Sequence, residues 1–276
     1  MTQATLEDED YIIGANEAEI RRLGHQHAIW RESALAAWRR AGLKPGMTVM
    51  DVGAGPGYAA FDLARLVGPE GRVIAIDQSS LFLDALRKGA DDRKLANIEC
   101  IESDLADYDW PEAACDAIWS RWCLSFVPNV EGALSGIDRS LKPGGLFVAQ
   151  EYVDYRSFRI EPAEPVFERF IEAVSASWLH FGGDPNVARR FPALFSQFGW
   201  QTLHAEPIIR MAQPGDLVWT WPMTWLEQAP DRLVDLGFLN PEDADSFRVF
   251  LHARQQDPAS SLMTPMVLET ITRKPG

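Results

Sequence analysis

A short apolar run that breaks into a glycine-rich turn and re-emerges as a helical pattern constrains this chain more than any other feature. Residues 48–52 are such a run, Gly53-Ala54-Gly55-Pro56-Gly57 is the turn, and residues 59–67 read as a helix. The same alternation continues downstream. Strands are expected at 72–76, 97–101, 115–120 and 145–152, and helices at 81–88 and 130–141. Buried parallel strands read as continuous apolar runs, so strand and helix in alternation predict a doubly wound α/β sheet. Ahead of the first strand, Ile20, Leu23, His27, Trp30, Ala34 and either Ala37 or Trp38 recur at helical spacing over 17–41, and Gly42 with Lys44-Pro45-Gly46 ends that helix. Residues 1–15 are acidic and expected to be loose. Beyond Tyr152 the alternation stops. Residues 155–198 look mostly helical, a strand is expected near 201–211, Trp219, Trp221 and Trp225 cluster together, and 266–272 has strand character.

The ends of the strands carry the chemistry. Glycines in the 53–57 turn permit a tight bend and let a ligand approach the backbone without obstruction by a Cβ. The next strand ends at Asp77 and the third just before Ser103-Asp104-Leu105. In open α/β sheets ligands bind at that edge, where an acid can accept both hydroxyls of a ribose. Glycine in such a turn also serves packing alone, and a single loop acid is ordinary. Together at one rim they describe a nucleoside pocket. A dinucleotide fingerprint needs G-x-G-x-x-G, whereas these glycines fall as G-x-G-x-G with Tyr58 at the late position. Asp51, just ahead of the turn, would oppose a pyrophosphate and suit a cation. A sulfonium or amino-acid ligand therefore fits better than NAD or FAD.

These segments, with Asp116-Ala117-Ile118-Trp119 and Leu141-Lys142-Pro143-Gly144-Gly145, follow one order. That ordered set resembles the class I S-adenosylmethionine-dependent methyltransferases, most nearly the small-molecule enzymes similar to the ubiquinone/menaquinone-biosynthesis methyltransferases. The resemblance covers about residues 45–152, and 266–275 resembles that group's last strand. It implies an α/β, Rossmann-like, mostly parallel seven-stranded sheet with an antiparallel last strand. It also implies a single domain over 1–276: an N-terminal helical lid (1–44), a cofactor-binding core (45–152), and sheet completion with helical substrate-cap insertions (153–276). The implied cofactor is S-adenosylmethionine. Asp51 and the backbone of Gly53, Ala54, Gly55 and Gly57 would face its methionine part, Asp77 would hold the ribose hydroxyls, and Gln78 would lie against the adenine. Asp104 would accept from the adenine amino group, with the Leu105 amide at a ring nitrogen. Arg121 and Trp122 would close over the methionine and methyl group, and Gln26, His27 and Trp30 belong to the lid helix. His27 reads equally as a satisfied core histidine, and Tyr11 is a weaker candidate to fold over the cofactor. No catalytic residue is assigned.

Composition narrows the remaining classes. Forty acidic residues against 26 basic ones give a net charge of −14, with no basic stripe, which argues against nucleic acid as a partner. The acidic start lacks a signal-peptide pattern, and no apolar run of about 18 residues exists to span a membrane. Cys100, Cys115 and Cys123 show no C-x-x-C spacing, so reduced thiols in a cytoplasmic protein, monomer or homodimer, are expected. Neither a metal-ligand spacing nor a G-x-S-x-G elbow occurs, so neither a metal nor a covalent intermediate is expected. The expected function is methyl transfer to an oxygen, nitrogen or carbon of a small apolar or aromatic metabolite. The alternative is a non-catalytic module that binds the cofactor or its demethylated product and acts through a protein partner. An NAD-type oxidoreductase stands third. The acceptor pocket is expected from the start of the insertion after Tyr152 and from the Trp219–Trp225 stretch, whose rings either line a cavity or pack an inserted helix. Glu151 and His180 read as possible bases or, more simply, as hydrogen-bonded or surface residues.

Overall fold

The computed structural model describes residues 16–276. Tyr11 therefore lies outside the described residues. In chain order the elements are α1 (Glu17–Ala41), β1 (Thr48–Val52), α2 (Tyr58–Val67), β2 (Arg72–Asp77), α3 (Ser80–Asp92), β3 (Ile98–Glu102), β4 (Cys115–Arg121), α4 (Val130–Ser140) and β5 (Leu141–Asp154). They continue as β6 (Arg159–Glu161), α5 (Pro165–His180), α6 (Phe191–Gln197), β7 (Gln201–Ile208), β8 (Met211–Ala212), α7 (Leu217–Leu226), α8 (Ala229–Asp235), α9 (Pro241–Gln256), β9 (Ser261–Met263) and β10 (Met266–Arg273).

Local chemistry explains where the long first helix begins and ends. Asn16 caps α1 by accepting from the Glu19 backbone N–H, and Glu17 and Glu19 put negative charge at the positive end of the helix dipole. Gly42, in the left-handed region at φ 78°, closes it through hydrogen bonds to the carbonyls of Trp38 and Arg39.

Seven strands form the main sheet in the order β3-β2-β1-β4-β5-β10-β7. The first five run parallel, and β10 is antiparallel to both β5 and β7. The mostly parallel sheet with an antiparallel final strand is therefore present, with that strand inserted between its neighbours. Val52 of β1 lies level with Ile76 of β2 and Ser120 of β4, so three strand ends and the turns that follow them share one rim. Alternate residues feed two layers. Val49 and Val73 pack under α1, α2 and α3, while Met50, Val52 and Ile74 pack against α4 and α6.

The strand expected over 201–211 is divided. β7 stays in the main sheet, whereas Arg210 donates its backbone N–H to the Thr264 hydroxyl, and β8 joins β9 and β6 in a separate three-stranded sheet. That small sheet, α5, α7, α8 and α9 enclose an aromatic-rich cluster over the carboxyl rim. Among the described residues no helix is long and apolar enough to cross a membrane.

Candidate functional site

The strand ends open onto a cavity of about 930 Å³. Gly53, Gly55 and Gly57 all have positive φ, yet the space around them differs. A Cβ on Gly53 would sit 2.5 Å from the Cys123 sulfur, and one on Gly57 only 2.3 Å from Leu86 Cγ. On Gly55 it would meet nothing nearer than Leu23 Cδ1 at 3.9 Å. Two of the glycines are thus required by packing, and Gly55 alone presents bare backbone to open space. Gly57 does not line the cavity.

Asp77, at the end of β2, accepts from the backbone N–H of Gly55 at 2.7 Å and of Ser79 at 2.9 Å. Its carboxylate ties the glycine turn to the neighbouring strand while lining the cavity beside Gln78. Asp104 accepts from the Ala106 N–H at 2.8 Å, a local turn that sets Asp104 and Leu105 on the same wall.

The floor of the cavity is a buried charged system. Asp51 is 2% exposed, and its Oδ2 has no hydrogen-bond partner. Burial raises its carboxyl to about 7 against the pull of Arg121, and burial lowers Arg121 to about 10 against the pull of Asp51. Arg121 donates from Nη2 to His27 Nδ1 at 2.9 Å, and His27 Nε2 lies 3.1 Å from Asp62 Oδ2. A guanidinium only donates, so Nδ1 accepts and Nε2 carries the proton toward Asp62: the ring is neutral. Burial, with Arg121 adding to it, lowers the His27 pKa in agreement. Burial alone would raise Asp62, but hydrogen bonds from His27 and Arg31 and the charges of both carry it below the usual carboxylate range. Arg31 reaches Asp62 from Nε at 2.6 Å and Nη2 at 3.0 Å. Helix α1 is therefore tied to both the β4 rim and α2, and His27 is at once a satisfied histidine and part of the cavity wall.

Behind the turn after β4 stands Glu151, 0% exposed. It accepts from the backbone N–H groups of Cys123 at 2.9 Å and Leu124 at 3.0 Å and from the hydroxyls of Ser120 at 3.2 Å and Ser125 at 3.0 Å. Burial raises its pKa, and these donors oppose the rise. The carboxylate is committed to folding the turn that holds Trp122 at φ 50°, and it does not line the cavity. His180 is exposed and packs edge-on against Phe181 and Phe238, also away from the cavity. Neither side chain reaches the space that the strand ends open onto.

Rings build the other wall. Trp122 stacks between Tyr152, at 5.7 Å, and Trp221, at 5.4 Å, and Trp30 meets Trp122 and Trp221 edge-on at 5.2 and 5.1 Å. Trp30 is wholly buried beneath this stack and does not line the cavity. Gln26 does, and it accepts from the Trp221 indole N–H at 2.9 Å, joining α1 to α7. Trp221 and Trp225 face the cavity while Trp219 packs the cap, so the tryptophan cluster serves both purposes. Apart from Gly57 and Trp30, every residue expected from the sequence to hold the cofactor lines this one space. Sequence reasoning missed Arg22, Tyr155 and Trp178 in the lining. No local motif marks them, because long-range packing brings them there. Among the described residues no group of three or more His, Cys, Asp or Glu could hold a metal ion, and the three cysteines are free.

Comparison with known proteins agrees with this geometry. The family described as "Methyltransferase domain" matches residues 50–149. These residues are a methyltransferase domain. The chain is similar to the ubiquinone/menaquinone biosynthesis C-methyltransferase UbiE of Brucella anthropi, at 32% identity over 127 residues, 46% of this chain and 48% of that protein. The chain thus spans about half the length of the curated relatives it matches. The fold of the methyltransferase domain and its additions is shared with a candidate methyltransferase of Bacillus halodurans C-125, with TM-score 0.60 and 18% identity over 89% of this chain and all (100%) of that one. It is also shared with phosphoethanolamine N-methyltransferase 2 of Haemonchus contortus, solved with phosphomonomethylethanolamine and S-adenosylhomocysteine. Here the TM-score is 0.55 and the identity 18%, covering 89% of this chain and 53% of that one.

Proposed function

We propose that this chain transfers a methyl group from S-adenosylmethionine to an oxygen, nitrogen or carbon of a small apolar or aromatic acceptor. The observation that carries the reading is the two-sided cavity: carboxylates and bare backbone on one wall, stacked rings on the other, in a space large enough for both partners. The residues fit the donor. Gly55 leaves the backbone open, and Asp77 stands where ribose hydroxyls would reach it. Asp104, Leu105 and Gln78 would flank the adenine. Asp51 and Arg121, buried with unpartnered Oδ2 and Nη1 atoms, offer opposite charges to an ammonium and a carboxylate.

When bound, the sulfonium supplies an already activated methyl group, so the protein's work is alignment and exclusion of water. Orientation of this kind contributes about 7–11 kcal/mol in favourable systems, and a dry site strengthens every charge within it. Trp122 and the α1–α7 roof would exclude water, while Asp51 and Arg121 would fix the amino-acid end. From β5 onward the lining carries no acidic or basic side chain, so the acceptor atom would enter already nucleophilic. UbiE, by name a C-methyltransferase, and the neighbour solved with S-adenosylhomocysteine support this reading of the donor. Fold alone does not fix chemistry, so the test measures transfer itself. Protein with labelled donor and a metabolite extract should yield labelled small molecules. Tight binding of S-adenosylhomocysteine with no label moved across broad extracts would point to a binding module instead.

A further inference from the structure

From β5 onward the cavity lining contains no charged side chain, and its polar side-chain groups are a few hydroxyls and indoles among rings such as Phe158, Trp178 and Trp225. Tyr155 stands out among them. It follows directly after β5, is 4% exposed, and its backbone N–H donates to Asn186 Oδ1 at 3.0 Å, which fixes where the ring starts. The ring packs edge-on to Tyr152 at 5.1 Å and against Trp178 at 5.0 Å. Its hydroxyl has no hydrogen-bond partner among the described residues. The indole N–H of Trp122 is also unpartnered but is sealed from solvent, whereas the Tyr155 hydroxyl is not among the sealed atoms and Tyr155 lines the cavity. A phenol without a protein partner on a wall of rings offers a ligand one directed donor where the rest of the wall offers none but indoles and a second phenol.

Resting on the methyl-transfer reading above, we infer that Tyr155 is the specificity-determining donor for the acceptor: its hydroxyl hydrogen-bonds an oxygen or nitrogen lone pair on an uncharged planar ring held among Tyr152, Trp178 and Phe158. Burial pushes the phenol well above its ordinary pKa, with Arg22 opposing, so the group remains a donor and does not act as a base. The ring wall supplies affinity without direction, and the hydroxyl supplies orientation.

The test uses calorimetry on the full chain and on Tyr155→Phe, which removes one unpartnered oxygen and leaves the ring contacts in place. S-adenosylhomocysteine should bind both proteins equally. With that compound saturating, 2-naphthol should bind the natural protein about tenfold more tightly than naphthalene, the scale of one net hydrogen bond. Tyr155→Phe should abolish the difference while leaving naphthalene affinity unchanged. Equal binding of the two probes to the natural protein, survival of the preference in Tyr155→Phe, or binding of neither probe would each overturn the assignment. Failure of the natural protein to bind S-adenosylhomocysteine would instead overturn the methyl-transfer reading beneath it.

Discussion

The two walls of the cavity are made in opposite ways. On the β1–β4 side, each functional group sits at a strand end, and its position follows from a short local motif: Gly55 in its turn, Asp77 bonded to two backbone amides, Asp104 bonded to one. On the cap side, Trp122, Tyr152, Tyr155, Trp178 and Trp221 meet through contacts between elements far apart in the chain. One wall is specified by hydrogen bonds of fixed geometry, the other by apolar packing that accepts many shapes. A protein built this way can keep its donor while its acceptor changes.

Substitutions can break that contrast. The largest effect is expected where the walls join. Glu151→Ala strips a buried acceptor from the turn that carries Trp122 and should cost about 1–3 kcal/mol of stability for each buried donor left without a partner, read by denaturant unfolding. Next, Asp77→Ala should weaken S-adenosylhomocysteine binding by about 1–3 kcal/mol in calorimetry; unchanged affinity in a folded variant would remove Asp77 from the donor wall. Asp51 gives a pH signature. Its folded pKa of about 7 lies above that of an unfolded aspartate, so the native state binds more protons between the two values. Stability of the ligand-free protein from this group therefore falls as pH rises from about 4 to 7. Affinity for the cationic donor should rise across pH 6 to 8 as the carboxylate forms. Asp51→Asn should flatten the affinity profile and raise the melting temperature of the ligand-free protein at pH 8. Last, Trp225→Ala should leave S-adenosylhomocysteine affinity within about twofold, a change below 0.5 kcal/mol, while reducing transfer to an aromatic acceptor. An equal loss in both measurements would mean that the two walls do not act separately.

The same contrast explains what could be read from the sequence. The glycine turn, Asp77 and Asp104 were readable because each follows an apolar run by a fixed offset, and the parallel order of β1 to β5 follows from alternation alone. The division of 201–211 into β7 and β8 was hidden, since a continuous β-like pattern does not show that residues 209 and 210 leave one sheet for another. Gly57 and Gly53 looked like ligand contacts, whereas the first is needed for Leu86 and the second also for Cys123. His27 could be placed on the apolar face of its helix, but its partners Asp62 and Arg121 lie 35 and 94 residues away. Tyr155 carried no signal beyond its place after the fifth strand.

The neutral imidazole between Arg121 and Asp62 has a wider consequence. Both of its nitrogens are engaged, so any event that reorients the guanidinium below must be answered by the helix above. The seating of α1 and the position of Arg121 thus share a single side chain, and a substitution that removes the ring severs the rim from the helix at one stroke.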